Sequence, residues 1–110
     1  MIYSVIMSLR IRGVIMNEIT TQKIYNFYEI FNDFNRIRIL VCIHNEEMTI
    51  DKISKITKLN DTLIYTQLEY LRDYKIIKKI NDENEITYKI CDKYMLKIID
   101  SIIKYISVSK

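Results

Sequence analysis

After Gly13 the chain contains neither glycine nor proline. Those two residues supply left-handed turns and fixed kinks, so a chain without them has few obligate turning points. Helices joined by short polar connections are the expected architecture. The hydrophobic pattern agrees. From Thr20 onward Ile24, Phe27, Tyr28 and Phe31 fall at i, i+3, i+4 and i+7, one apolar stripe along a helix that Asn32-Asp33 interrupts.

A second helix is expected over NRIRILVCIHNEE. Ile37, Leu40 and Val41 share one face and Ile39 and Ile43 fill another, so this helix is apolar nearly all round and belongs at the centre of the molecule. Thr49 is a suitable N-cap for a third helix, in which Ile50, Ile53, Ile56 and Thr57 repeat at helical spacing. After a short connection at Leu59-Asn60, Asn60 or Asp61 caps a fourth, with Ile64, Leu68 and Leu71 inward and Thr62, Tyr65, Thr66 and Glu69 outward. Beyond Tyr74 the pattern changes. KIIKKI and EITYKI flank the polar tip Asn81-Asp82-Glu83-Asn84 and read as a β-hairpin. Asp92 then caps a last helix whose stripe is Met95, Ile99, Ile102 and Ile106. The fold class is mostly α with a small β-hairpin wing (α+β). Two short helices with a tight connection, followed by a hairpin, are the parts of a winged helix–turn–helix.

A chain of 110 residues suffices for one domain of this kind, placed at residues 16–110. Residues 1–15, MIYSVIMSLRIRGVI, read as a loose arm, as an upstream extension with the true start at Met16, or as an added helix. Their apolar run is broken by Arg10 and Arg12, so it neither spans a bilayer nor has the order of a signal peptide. No membrane association is expected, and a cytoplasmic location is expected with it. The net charge is +3, from 17 basic and 14 acidic residues, and Arg10 and Arg12 supply two of those positives. A balance this even does not point to nucleic acid by itself, so a DNA-binding role must rest on local pattern. The first and last helices carry more apolar surface than so small a core can bury. A second copy in a two-fold dimer is the economical cover, with Ile24, Phe27, Tyr28, Met95, Ile99, Ile102 and Ile106 at the interface.

Three segments in register resemble the ArsR/SmtB family of bacterial and archaeal repressors, over roughly Ile24 to Ile106. Asp33-Phe34-Asn35-Arg36-Ile37-Arg38-Ile39-Leu40 is similar to D-P-T-R-L-R-I-L, with Phe34 in place of Pro. The run from Leu59 to Arg72, LNDTLIYTQLEYLR, is similar to L-S-Q-S-x-V-S-x-H-L-x-x-L-R. Ile86-Thr87-Tyr88-Lys89-Ile90 is similar to the returning wing strand, V-Y-Y-x-L. The resemblance implies a dimeric transcriptional regulator that inserts the helix from about Asp61 to Asp73 into the major groove of double-stranded DNA.

The residues suit that role. Asn60, Thr62, Tyr65, Thr66 and Gln67 carry hydroxyls and amides able to bond base edges or phosphates. Lys58 and Arg72 stand near the two ends of the helix, and Lys78, Lys79 and Lys89 lie on the hairpin, all within reach of phosphates. Against this, Asp82, Glu83 and Glu85 make the wing tip acidic, and such a tip is repelled by a phosphate backbone. Lys75 replaces the glycine that commonly ends this helix, so a left-handed residue there is either strained or absent.

Metal sensing through the family's positions is not expected. Its Cys-x-Cys pair falls on Thr49 and Asp51, and its D-x-H…H-x-x-E set on Asp92, Tyr94, Tyr105 and Val108, of which only the Asp is retained. Cys42 and His44, two residues apart, point about 200° from each other around a helix and do not chelate together. The second and last helices approach in such a fold, which leaves an oxidative pairing of Cys42 with Cys91 open. With one histidine, no glycine-rich phosphate loop and no paired acid and base, there is no catalytic site and no cofactor to expect. Two further readings stand beside the DNA-binding one. The acidic tip and near-neutral charge fit a winged-helix module for protein–protein contact that has lost DNA binding. A DNA binder sensing a small apolar effector of unknown identity would carry a cavity between its first and last helices.

Overall fold

A computed structural model describes residues 10–11, 14–15 and 17–108, and the chain divides into two compact units, residues 1–33 and 34–110. In the first unit β1 (Arg10–Ile11) pairs antiparallel with β2 (Val14–Ile15). Residues 1–9, 12–13 and Met16 lie outside the described residues, so the expectations of an arm and of a start at Met16 fall largely there. Helix α1 (Glu18–Phe31) begins where Asn17 Oδ1 accepts from the Thr20 amide at 2.8 Å, satisfying one of the amides a helix start leaves open. Its expected stripe is solvent-facing. Ile24, Phe27 and Tyr28 are 51%, 46% and 56% exposed, and the rings of Phe27 and Phe31 lie 4.9 Å apart.

The second unit follows the expected order: α2 (Phe34–Cys42), α3 (Ile50–Thr57), α4 (Asp61–Asp73), β3 (Ile77–Asn81), β4 (Ile86–Ile90) and α5 (Lys93–Val108). Its core is made by the positions the helical and strand periods select. Ile39, Leu40 and Ile43 come from α2 and the turn after it, Ile53 from α3, and Ile64, Leu68 and Leu71 from α4. Ile76, Ile77, Tyr88 and Ile90 come from the hairpin, and Met95 and Ile99 from α5. Each large side chain removed from water in this way contributes about 1.5–3 kcal/mol before chain entropy is counted.

Two of these positions correct the sequence reading. Met95 is 5% exposed and Ile99 fully buried within a single chain, so neither is free to meet a second copy. The stripe on α5 is wider than one surface needs. Its N-terminal part faces the core, while Ile102 is half-buried and Ile106 is 59% exposed. Ile102 and Ile106 join Phe34, Ile37, Val41 and Ile56 around an open, mainly apolar groove of about 360 Å3 between α2, α3 and α5. Among the described residues no helix is long and apolar enough to cross a membrane.

The hairpin is antiparallel, with Ile77 opposite Ile90, Lys78 opposite Lys89, Lys79 opposite Tyr88 and Ile80 opposite Thr87. A third, one-residue rung was not anticipated. Met48, just before α3, exchanges both backbone hydrogen bonds with Tyr88, at 2.8 and 3.1 Å. The Thr87 hydroxyl adds a bond to the Glu47 carboxylate. The returning strand β4 is therefore tied on both edges, to β3 and to the segment that leads into the helix–turn–helix.

Candidate nucleic-acid interface

The helix–turn–helix is fixed by short-range polar contacts. Thr49 Oγ1 accepts from the Lys52 amide at 3.1 Å and starts α3. At its end Lys58 adopts the left-handed conformation, φ 66°, which lets the chain turn at once into α4. The turn is held from below. Ser54 donates its hydroxyl to the Leu59 carbonyl at 2.7 Å, and the buried Thr57 hydroxyl donates to the Ile53 carbonyl at 2.7 Å and accepts from the Leu59 amide at 3.3 Å. Arg38 reaches across from α2 and donates to the Thr57 carbonyl. Asn60 Oδ1 then accepts from the Leu63 amide at 2.8 Å, so the capping role expected at Asn60 or Asp61 belongs to Asn60.

Helix α4 ends in a Schellman motif. The Lys75 amide donates to the Arg72 carbonyl at 2.8 Å and the Ile76 amide to the Leu71 carbonyl at 3.0 Å. Lys75 holds the left-handed position with φ 60°. Of the two outcomes open from the sequence, strained or absent, the position is present and occupied by a residue with a Cβ, at a cost of about 1–2 kcal/mol.

Thr62, Tyr65 and Thr66 stand exposed on one side of α4, with Tyr65 49% exposed. The Thr66 hydroxyl donates to the Thr62 carbonyl at 2.9 Å and keeps its oxygen lone pairs as acceptors. Lys58 is exposed beside the start of this face. Gln67, expected on the same face, is not there. It is 7% exposed, and its Oε1 accepts from Arg36 Nε at 2.8 Å. The guanidinium of Arg36 lies 3.7 Å from the centroid of the Tyr70 ring, and Tyr70 meets Tyr74 at 4.9 Å. The sequence held the signal, because Gln67 stands three residues after Ile64 and four before Leu71, both inward.

The basic residues divide. Lys78 and Lys89 are opposite one another and exposed, so they form a basic pair on one face of the hairpin. Lys79 faces the other side with Tyr88, so Lys79 and Lys89 do not act on one surface, which corrects their grouping. Arg72 is engaged within the protein. Its Nη1 lies 2.9 Å from Glu69 Oε2 and 3.2 Å from Oε1, and this bond to Glu69 raises the guanidinium pKa above its ordinary value. The tip residues Asp82, Glu83 and Glu85 are exposed at the far end of the wing.

The thiols and the histidine go to separate partners. Cys42 Sγ is 3.6 Å from Met48 Sδ, and burial pushes its pKa up, with Lys52 opposing and Glu46 adding to the shift. His44 Nε2 lies 3.6 Å from Asp100 on α5, while its Nδ1 is buried without a hydrogen-bond partner. Asp92 caps α5 through the Met95 amide at 2.8 Å, and Cys91, just before it, is exposed. Both cysteines are free thiols. Among the described residues no three of His, Cys, Asp and Glu come together as a metal would require.

Helix, helix, helix–turn–helix, hairpin and closing helix define a winged helix–turn–helix protein, the fold the ArsR/SmtB resemblance implies. Solved structures with this fold include a predicted DNA-binding transcriptional regulator from E. coli, with TM-score 0.73 and 18% identity over 80% of this chain and 94% of that one. The transcriptional regulator HlyU from Vibrio vulnificus aligns with TM-score 0.72 and 16% identity over 80% and 92%. The AntR antimony-specific transcriptional repressor aligns with TM-score 0.72 and 16% identity, over 83% of each chain. No family model matches the chain, and no curated protein matches it.

Proposed function

We propose that this protein is a sequence-specific, DNA-binding transcriptional regulator that acts as a homodimer and sets α4 in the major groove. The observation that carries the reading is the exposed trio Thr62, Tyr65 and Thr66 on a helix capped by Asn60 and backed by Ile64, Leu68 and Leu71. A recognition helix needs this combination of a rigid inner face and an outer face of small hydrogen-bonding groups. Lys58 and the Lys78–Lys89 pair supply phosphate contacts. Likeness in fold to transcriptional regulators and a repressor supports the assignment.

The dimer is supported by apolar side chains left open on α1 and on the C-terminal half of α5, namely Ile24, Phe27 and Tyr28 on the first and Ile106 on the second. On α5, Ile102 and the apolar groove beside it add to the apolar surface that Ile106 offers. A two-fold dimer presents its recognition helices about one DNA turn apart and selects a pseudo-palindromic operator. The role is regulatory and not catalytic, it uses no metal at the family's ligand positions, and it belongs in the cytoplasm.

The test is binding to DNA from just upstream of the protein's own gene over a salt series. Specific binding is expected, weakening steeply with salt and lost in a Thr62→Ala/Thr66→Ala variant. Binding no tighter than to random DNA at every salt concentration would favour the second reading, a protein-interaction module. The exposed carboxylates of the wing tip motivate that reading.

A further inference from the structure

The recognition helix carries its own negative charge. Glu69 follows Tyr65 by four residues and Thr62 by seven, which places it along the reading face one turn further on. Its side chain is 34% exposed, and that of its partner Arg72 is 38% exposed. A single guanidinium nitrogen, Arg72 Nη1, bonds both carboxylate oxygens, at 2.9 and 3.2 Å. Glu69 also acts on Tyr88 of β4, whose phenol pKa is raised first by burial and then by this carboxylate. Glu69 and Arg72 are therefore close enough to the returning strand for both charges to act on the Tyr88 phenol.

Two consequences follow from the charges. The Glu69 carboxylate holds Arg72 Nη1 and offsets the guanidinium charge, so a phosphate either meets a partly neutralised arginine or displaces the carboxylate, and the contribution of Arg72 to counterion release is suppressed. If a phosphate does displace it, the freed carboxylate is left facing the negative backbone, which opposes the exchange. The hydroxyl contacts of Thr62 and Thr66 are untouched by either effect.

Resting on the DNA-binding reading above, we infer that Glu69 is a specificity-determining residue that competes with phosphate for Arg72. It lowers sequence-independent attraction to DNA and leaves discrimination to the Thr62, Tyr65 and Thr66 face. Electrostatic contacts supply essentially all non-specific binding, so restraining one of them widens the margin between operator and random sequence.

The experiment compares wild type, Glu69→Gln, Arg72→Gln and the double variant by fluorescence anisotropy. Each is titrated with a random-sequence duplex and with upstream DNA from its own gene over a salt series, after circular dichroism shows equal helix content. Glu69→Gln is expected to bind random DNA severalfold more tightly, with a log–log salt slope steeper by about one. Arg72→Gln alone is expected to leave the wild-type slope in place, and adding it to Glu69→Gln should remove the gain. An unchanged slope in Glu69→Gln, or a loss of about one from the wild-type slope in Arg72→Gln alone, overturns the inference while leaving DNA binding intact. Absence of salt-dependent binding by every variant, wild type included, overturns the DNA-binding reading and this inference with it.

Discussion

Arg36 Nε donates to Gln67 Oε1 at 2.8 Å, joining the start of α2 to the inner side of α4. The same guanidinium rests 3.7 Å from the Tyr70 ring, so one arginine fixes two residues a single turn apart on the candidate recognition helix. Its role is orientation. Gln67→Ala removes a part-buried hydrogen bond and some packing, and is expected to cost about 1–2 kcal/mol of stability in urea unfolding. Base preference should be unchanged. A variant of full stability with altered base preference would return Gln67 to the reading face.

Lys75 and Lys58 both occupy left-handed backbone, at φ 60° and 66°. Glycine has no Cβ to clash there, although it loses more entropy on folding. The expected net gain for Lys75→Gly is about 0.5–1 kcal/mol, seen as a rise in Tm of a few degrees. Alanine at the same position should give no such gain, since it retains the Cβ.

The two thiols should differ in reactivity. Burial raises the Cys42 pKa, so less of it is thiolate at a given pH, and Cys91 is exposed. Iodoacetamide at about pH 8, followed by mass spectrometry, is expected to label Cys91 well before Cys42. The same shift sets the sign of a pH effect. Cys42 and Tyr88 both have pKa values raised in the folded state. The unfolded chain therefore gives up these protons first. Stability is fully present below the ordinary thiol value and falls as pH rises from about 8.5 through 10 and beyond. A Tm that is flat between about pH 8 and 11 would contradict this.

Dimerisation is predicted to depend on the exposed half of the α5 stripe. Ile106→Glu, at a 59% exposed position, should shift sedimentation from dimer to monomer with helix content retained. Met95→Ala, at a buried position, should instead lower stability by about 2–5 kcal/mol and act on assembly only through folding.

Much of this fold was legible because its elements are strongly periodic. The inward stripe of α4, the caps at Thr49 and Asp92, and the strand runs either side of Asn81–Asn84 all follow from spacing and residue type. What was not legible depended on depth and on long-range pairing. An apolar stripe does not say how much of itself the chain's own core will take, so Met95 and Ile99 read like Ile106. The rung between Met48 and Tyr88 joins residues 40 apart through backbone atoms, which carry no sequence signature. The site divides in the same way. Thr62, Tyr65 and Thr66 stand on the expected face, whereas the pairing of Arg72 with Glu69 and the register that sets Lys79 opposite Tyr88 depend on contacts that spacing alone does not specify.

The outer face of α4 is the surface proposed to read DNA. The most direct measurement is the change in backbone amide NMR signals when the 15N-labelled protein is titrated with operator DNA. The largest changes are expected at Lys58, Thr62, Tyr65 and Thr66, smaller ones at Lys78 and Lys89, and none at the acidic tip Asp82–Glu85. Changes centred on the wing tip or on α5, with α4 unaffected, would contradict it.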